Sequence, residues 1–260
     1  MEKLTVILNK IEKAKELDFG AILGQSIELF KKVWVQGMLL ILISVAIMIP
    51  LYLMIYIPII FFGIIDPNSL DPDNINGSDG AMALVLGIIV ILLMLCMVSC
   101  FIVVVFGLQT AFYRICKVKD FNEAESDDYF YYLKKGHFKK TAVLALATMG
   151  IYLLAAALCY LPVFYVIVPL SFVSVIHAFN PELSVSNIVN LSFKLGNKKW
   201  LITFGLMFVS GIIANFGLFL CIVGVIATVS INMIPQYFIY KEVIGFGDEN
   251  EVDKIGVAEE

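Results

Sequence analysis

Long apolar runs alternate with short polar connections along almost the whole chain. A transmembrane helix needs about 20 consecutive, mostly apolar residues, so such runs predict membrane spans. Six runs approach or exceed this length: Met38–Ile65, Ala81–Tyr113, Thr141–Tyr160, Leu161–Phe179, Trp200–Phe216 and Gly217–Tyr240. The pattern therefore predicts an all-α, polytopic membrane protein with six transmembrane helices arranged as three hairpins.

The first two runs are longer than the hydrocarbon core of a membrane. Pro50 and Pro58 lie inside the first run, so we expect a kink or an interfacial turn there, because proline cannot donate the N–H that a helix interior uses. For the second run we expect either a strong tilt or an extension into the cytosol from Gly107 onward.

Composition and charge placement add an orientation. The 260 residues are 60% hydrophobic and 15% charged, whereas a soluble domain carries about 25% charged residues. All 18 Lys and Arg fall on one side of the predicted layout, in the N-terminal region, the connections 114–140 and 194–199, and the C-terminal tail. Because Lys and Arg accumulate on the cytoplasmic side, we expect a multi-pass protein of the bacterial inner membrane with both termini in the cytoplasm.

The domain organisation follows from the same layout. Residues 1–244 are predicted to form a single integral membrane domain, and 245–260 a disordered acidic tail. The five cysteines lie in or beside apolar runs without metal-ligand spacing, so they are interpreted as small core residues.

An internal repeat is suggested by the polar connections. Leu133–Lys140 aligns with Phe193–Trp200 at an offset of 60, and Phe30–Trp34 is a shorter relative. Three units of about 18–119, 120–180 and 181–244 are predicted, each an amphipathic helix followed by a hairpin. The alternative is that any cytoplasmic connection between hairpins acquires lysines and amphipathic flanks.

Amphipathic stretches precede the spans. Leu4, Leu8 and Ile11 mark one such helix, and Tyr129–Leu133 is predicted to be an aromatic interfacial helix. These helices either lie in the membrane interface or pack on the cytosolic side of the protein itself. Lysines and tryptophans beside them are predicted interfacial anchors: Lys31, Lys32, Trp34, Lys134, Lys135, Lys139, Lys140, Lys198, Lys199 and Trp200.

A family resemblance rests on these same residues. The sequence ELDFGAI at Glu16–Ile22, the Phe30–Trp34 boundary and the three helix-plus-hairpin units resemble a bacterial family related to the membrane domain of some glycerophosphodiester phosphodiesterases. The pattern is also similar to uncharacterised integral membrane proteins of about this size. The resemblance covers most of residues 16–241 and implies a fold and a membrane. It transfers no active site, because the catalytic domain of those enzymes has no counterpart in this sequence.

Uncharged polar residues near the predicted cytoplasmic ends of the even-numbered spans are the main candidate site. They are Gln109, Thr110, Ser171, Ser174, His177, Asn232 and Gln236. Buried amides and hydroxyls in lipid need partners, so helix–helix hydrogen bonding is the simpler interpretation. The alternative is a polar pocket that opens to the cytoplasm near Pro169 and Pro235.

Catalytic motifs are weak or missing in the sequence. Gly245–Asp248 matches a GxGD motif of intramembrane proteases, but Asp248 lies in the polar tail without a second membrane Asp. His137 and His177 are the two histidines, and their surroundings show no metal-ligand spacing. We therefore expect no enzyme activity, no cofactor, no metal and no nucleic-acid partner.

The expected role is that of a non-enzymatic accessory, scaffold or lipid-handling component of the membrane. Expected partners are membrane lipids and a membrane protein or a second copy of the chain. The alternative is a transporter or channel for a small or hydrophobic molecule. Against transport, carriers coupled to ions usually hold ionisable groups at mid-membrane, and no Asp, Glu, Lys or Arg lies well inside any predicted span.

Overall fold

A computed structural model describes residues 2–65, 78–158, 161–217 and 221–246, which are helical apart from short connections. Nine α-helices occur in these ranges: α1 Glu2–Glu12, α2 Phe19–Ile65, α3 Ser78–Asp120, α4 Phe138–Ala157, α5 Leu161–Phe179, α6 Val185–Lys198, α7 Trp200–Asn215, α8 Cys221–Thr228 and α9 Ile234–Val243. Two 3₁₀ segments, Tyr131–Leu133 and Val229–Met233, complete the order. The predicted all-α class is confirmed.

Four helical stretches are long and apolar enough to cross a membrane. They are Phe19–Met54, Gly87–Asp120, Phe138–Ala157 and Pro162–Phe179. α7 is also apolar but has 16 residues, and the last predicted run is divided among α8, a 3₁₀ segment and α9. Four candidate spans support a polytopic membrane protein, while a count of six remains a prediction.

α2 and α3 are the longest elements and pack against each other. Their 47 and 43 residues correspond to about 70 and 65 Å of helix, roughly twice the hydrocarbon thickness. Helical backbone continues through Pro50 and Pro58, so no turn interrupts α2 there, and a kink at these prolines stays a prediction. The predicted extension of α3 beyond Gly107 is present and ends at Asp120.

The last apolar run is broken rather than continuous. Pro235 lies in the first turn of α9. Proline has no N–H to donate to the carbonyl of Ile231, so an uninterrupted α-helix through this point is disfavoured, whereas the first turn tolerates proline well. A 3₁₀ segment from Val229 to Met233 joins the two helices across the break.

Polar segments from four parts of the chain lie at one end of the protein and form a structure that we call the cap. The cap comprises α1, residues 121–137, α6 and the last turn of α9 with Gly245 and Phe246. Ile7 and Ile11 of α1 are 4% and 2% exposed, and Ile188, Leu191 and Leu195 of α6 are fully buried. α1 and α6 also contact each other. Of the two interpretations of the amphipathic helices, packing on the protein itself is therefore the one that the structure shows.

The segment between α3 and α4 differs from the prediction. Tyr129–Leu133 is not an interfacial helix: it holds one 3₁₀ turn at Tyr131–Leu133. Tyr129 and Tyr132 are 9% and 1% exposed, because their hydroxyls turn inward. Tyr129 donates to the carbonyl of Gln36 in α2 at 3.0 Å, and Tyr132 donates to the carbonyl of Ala178 in α5 at 2.6 Å. Tyr129 and Tyr132 thus connect the segment to α2 and α5, while Phe130 between them is exposed.

The aligned repeat positions have different surroundings. A Cβ placed on Gly136 would meet nothing within 4 Å, whereas one on Gly196 would lie 2.5 Å from the Cα of Pro169. An amphipathic helix precedes α7 but not α4. The three-unit repeat therefore remains a sequence-level hypothesis.

Candidate functional site

Lysines hold the cap together by donating to backbone carbonyls. The last carbonyls of a helix lack partners within the helix, so a nearby ammonium group satisfies them well. Lys198 donates to the carbonyl of Glu12 at the end of α1 at 2.9 Å, and Lys199 donates to that of Lys15. Lys10 donates at 2.6 Å to the carbonyl of Ile244, next to the end of α9.

Lys140, in the first turn of α4, also donates to backbone carbonyls. It donates to the carbonyl of Pro181 at 2.6 Å and to that of Leu183, both in the connection from α5 to α6. Lys199 is 7% exposed, and burial lowers the pKa of its ammonium group. Lys140, Lys198 and Lys199 were predicted as interfacial anchors, and the structure directs their ammonium groups to backbone carbonyls.

The other predicted anchors are mostly at the surface. Lys31, Lys32, Lys135 and Lys139 are exposed, as is Trp34. Lys134 pairs with Asp128 at 2.5 Å. Trp200 is half-buried, stacks on Phe204 at 5.0 Å and donates from its indole N–H to the carbonyl of Tyr165 at 3.1 Å.

An ion pair joins α3 to α9 at the base of the cap. Asp120 accepts from Lys241 at 2.7 Å and from the hydroxyl of Tyr237 at 2.9 Å. The side chains of Asp120 and Lys241 are 17% and 25% exposed. Because both are largely removed from water, their hydrogen bonds are stronger than those of a surface pair.

His177 forms the centre of one polar group among the candidate residues. It is fully buried, and its Nε2 lies 3.1 Å from Oγ1 of Thr141. That hydroxyl also lies 3.1 Å from the carbonyls of Tyr132 and His137. Its single proton goes to a carbonyl, so the hydroxyl accepts from Nε2–H. Nδ1 of His177 is then unprotonated, and it is buried without a hydrogen-bond partner.

Three other candidates lie on α3 and α5. Thr110 is fully buried and donates to the carbonyl of Phe106 at 2.8 Å. Ser171 donates to the carbonyl of Val168 at 2.7 Å. Ser174 is 6% exposed. The two bonded hydroxyls are satisfied by their own helices, which agrees with the simpler interpretation made from the sequence.

A second polar group surrounds the broken helix between α8 and α9. Oδ1 of Asn232 and Oε1 of Gln236 are buried and have no hydrogen-bond partner. The hydroxyls of Ser210 on α7 and Ser230 in the 3₁₀ segment are also fully buried and without a partner. A Cβ on Gly211 of α7 would lie 3.8 Å from Oδ1 of Asn232. These four oxygens lie on elements that pack together, because the 3₁₀ segment contacts α7 and α9.

Ser210 and Ser230 stand out against other helical hydroxyls. Many hydroxyls donate to the carbonyl three or four residues earlier in their own helix, among them Ser26, Ser44, Ser99, Thr110, Thr148, Ser171, Ser192 and Thr203. Each unpaired buried hydroxyl costs about 1–3 kcal/mol. Neither serine was predicted as a site residue, because sequence spacing does not show that a serine will fail to bond its own helix.

The structure therefore distributes the seven candidates over two groups. Thr110, Ser171, Ser174 and His177 belong to α3 and α5, and Asn232 and Gln236 to the broken segment and α9. Gln109 is half-buried on α3. Among the described residues no hydrogen bond joins the two groups, although α5 packs against α9. A shared pocket therefore remains a prediction.

An open groove lies elsewhere, between α1 and the end of α9. Its lining includes Asn9, Lys10, Lys13 and Lys15 on one wall, and Lys241–Gly245 on the other. It contains none of the seven candidate residues. Over the ranges that the structure describes, no group of three or more His, Cys, Asp or Glu is placed to hold a metal ion.

No protein-family model matches the sequence, and no curated protein or solved structure shows significant similarity to it.

Proposed function

We propose that this chain is a non-enzymatic integral membrane protein of the bacterial inner membrane, acting as an accessory or scaffold component that contacts lipid over much of its length. In this proposal it crosses the membrane six times with both termini in the cytoplasm. The observation that carries it is the exposed apolar surface of α2 and α3.

That surface is large and continuous. Of the most apolar stretches in these two helices, 11% of residues in α2 and 6% in α3 are buried inside the protein. Large side chains there lie open, including Met54 at 66%, Leu92 at 60% and Ile88 at 58% exposure. An apolar patch of this extent is not stable in water, so it needs lipid or the helices of a partner.

A scaffold role is favoured by how the cap is built. Backbone carbonyls at the ends of α1, α5 and α9 are held by lysines from distant parts of the chain. Such contacts fix the helix ends relative to each other without using a ligand. α1 and α6 bury their apolar faces within the protein. A lipid-handling role therefore depends on the exposed apolar faces of α2 and α3. The proposed kinship with the membrane domain of glycerophosphodiester phosphodiesterases is compatible with either role.

Topology is tested by cysteine labelling in a background without native cysteines. Gly136 is exposed and a side chain there meets no neighbour, so Gly136→Cys is expected to react with an impermeant maleimide from the cytoplasmic side. Ser69, which lies outside the described residues, is expected to react from the opposite side as Ser69→Cys. Labelling of Ser69→Cys from the cytoplasm alone would overturn the orientation.

Transport through the membrane is the second candidate function, favoured by one observation. Ser210, Ser230, Asn232 and Gln236 place four unpaired oxygens beside a break in an apolar segment. Broken helices with polar linings form the ion and substrate sites of many transporters. Joint alanine substitution of Ser210, Ser230, Asn232 and Gln236 tests this: unchanged folding together with an unchanged cellular phenotype would end the pocket hypothesis.

A further inference from the structure

Exposed lysines lie at two places where an apolar helical stretch begins at the cap. Lys31 and Lys32 precede the apolar part of α2, and Lys135 and Lys139 flank the start of α4. All four side chains are exposed, and among the described residues none of the four forms an ion pair with a carboxylate. Their ammonium groups are therefore open to an anion from outside the protein.

The two places lie side by side. The carbonyl of Gln36 in α2 accepts from the hydroxyl of Tyr129 at 3.0 Å, and the side-chain amide of Gln36 donates to Asp127 at 3.1 Å. Lys32 is one helical turn before Gln36 and shares its face of α2. These contacts place the turn of α2 that carries Lys32 beside the connection that leads into α4.

Exposed aromatic rings accompany the lysines. Trp34, Phe130 and Phe138 are 44%, 46% and 45% exposed. Further along α2 and α4, the large exposed side chains are apolar, among them Leu39, Leu42, Val143 and Leu146. A charged row beside an apolar surface has the same two parts as a phospholipid, and lysines with aromatic rings are typical of headgroup depth.

The charge balance of this surface favours an anionic lipid. Glu28 is an exposed carboxylate one turn before Lys32. The carboxylates of the connection from α3 to α4 are held in ion pairs with other side chains: Asp120, Glu123, Glu125, Asp127 and Asp128. The four exposed lysines thus leave an excess of positive charge, which attracts an anionic headgroup more strongly than a zwitterionic one.

We propose that an anionic phospholipid of the cytoplasmic leaflet binds to one surface, which we call the lysine collar: Lys31, Lys32, Trp34, Lys135, Phe138 and Lys139. The headgroup phosphate accepts hydrogen bonds from the ammonium groups, and the acyl chains lie along the exposed apolar side chains of α2 and α4. This inference rests on the proposed membrane role and gives that role a partner of defined chemistry.

The test uses the two tryptophans of the chain as local reporters. Trp200→Phe leaves Trp34 in the lysine collar, and Trp34→Phe leaves Trp200 at the start of α7. Each full-length variant is placed in bilayers of lipid brominated near the carbonyl end of its acyl chains, which quenches tryptophan fluorescence on contact. At Trp34, phosphatidylglycerol should bind about fivefold more strongly than phosphatidylcholine, the ratio that about 1 kcal/mol from one lysine provides.

Neutral substitutions identify the source of that preference. Joint replacement should remove it at Trp34 and leave the ratio at Trp200 unchanged: Lys31→Gln, Lys32→Gln, Lys135→Gln and Lys139→Gln. Arginine at the same four positions should retain the preference, because the positive charge is kept.

A matched control removes exposed lysines outside the lysine collar. Lys13 and Lys15 are exposed on the cap, at the end of α1 and just after it. Lys13→Gln with Lys15→Gln should leave the preference at Trp34 unchanged. Inorganic phosphate, compared with sodium chloride of equal ionic strength, should also leave it unchanged, because the acyl chains contribute to binding.

Several outcomes would overturn the proposal. They are equal binding of the two lipids at Trp34, a preference that survives the four glutamines, and an equal loss at Trp200, which would indicate a long-range effect of net charge. Loss of the preference in inorganic phosphate would assign the surface to free phosphate. Failure of the membrane role itself would look different, since Trp34 would then be quenched by neither lipid.

Discussion

The two ends of α4 lie in contrasting environments, although both are apolar. Near its start, Leu144 is fully buried and Ala145 is 1% exposed, where α4 packs on α5 and α3. Near its end, Leu153 and Leu154 are 58% and 68% exposed. The same contrast holds along α3, which is open around Leu92 and closed around Phe112. At the cap end the residues that face α3 and α5 are packed, while Val143 and Leu146 on the other side of α4 are exposed; at the far end the large side chains are exposed and Ala155 is buried.

The difference shows that hydrophobicity alone does not identify the core of a chain like this one. In α5, 61% of the most apolar stretch is buried, against 6% in α3, although both are candidate spans. Stability therefore depends on the cap end, and the far end is free to change as long as it remains apolar. Four predictions test this, ordered from the largest expected effect to the smallest.

Truncation of one leucine at each end of α4 gives the sharpest contrast. Leu144→Ala should lower the free energy of unfolding by about 3 kcal/mol, because it leaves a cavity in a packed region. Leu154→Ala should change it by less than about 0.5 kcal/mol, because the side chain is exposed and its removal leaves no cavity. Denaturation in detergent micelles measures both, and equal losses would remove the distinction between the two ends.

Glycine positions give the next contrast. Gly196→Ala should destabilise by about 2 kcal/mol, because its Cβ would lie 2.5 Å from the Cα of Pro169 and push α6 from α5. Gly150→Ala on α4, where a Cβ meets nothing within 4 Å, should stabilise by up to about 1 kcal/mol through helix propensity. Thermal unfolding of the two variants side by side gives the sign of each effect.

The ion pair at the base of the cap comes third. Asp120→Asn removes the charge that Lys241 and Tyr237 share and should cost about 1.5 kcal/mol. Asp128→Asn, which affects the more exposed pair with Lys134, is the matched control and should cost less than about 0.5 kcal/mol. If the two variants unfold at the same denaturant concentration, the base of the cap is not protected from solvent.

The smallest effect is expected at the surface pair of Lys3 and Glu182, whose atoms lie 2.6 Å apart. Partial burial is the largest single influence and opposes ionisation of Glu182, but the hydrogen bond from Lys3, a backbone hydrogen bond and the charges of Lys3 and Lys140 together hold its pKa below the usual value. The pair therefore stabilises the fold above the pKa of the unfolded state, and this contribution is lost as the pH falls through the folded pKa.

Glu182→Gln should accordingly cost a few tenths of a kcal/mol at neutral pH, and nothing once the pH is below the folded pKa. Unfolding of the variant and the unmodified protein is compared across that range. A difference that grows as the pH falls would contradict the assignment.

Sequence reasoning found the helices but not their partners. Apolar length located all four long candidate spans, since that property is local. It could not decide whether Ile7 and Ile11 face lipid or protein, because both surfaces satisfy the same amphipathic pattern. The burial of Tyr129 and Tyr132 was not predicted for the same reason: an aromatic ring with a polar tip suits a headgroup region and a buried hydrogen bond to a helix carbonyl equally well.

The candidate site was predicted less completely than the fold. Asn232 and Gln236 were singled out as polar residues in an apolar run, and the structure leaves an oxygen of each unpaired. Ser230 was not predicted as a site residue. Its hydroxyl is buried against Gly37 of α2, and a side chain at that glycine would clash with the hydroxyl. Contacts between residues so far apart in sequence leave no periodic signal.

The lysine contacts of the cap also set an order of assembly. Lys198 reaches back 186 residues to Glu12, and Lys10 reaches forward 234 residues to Ile244. During synthesis α1 emerges first, yet its partners are among the last residues to be made. The N-terminal helix therefore cannot bury its apolar face until α6 has been made, and its hydrogen bond from Lys10 to Ile244 forms only near the end of synthesis.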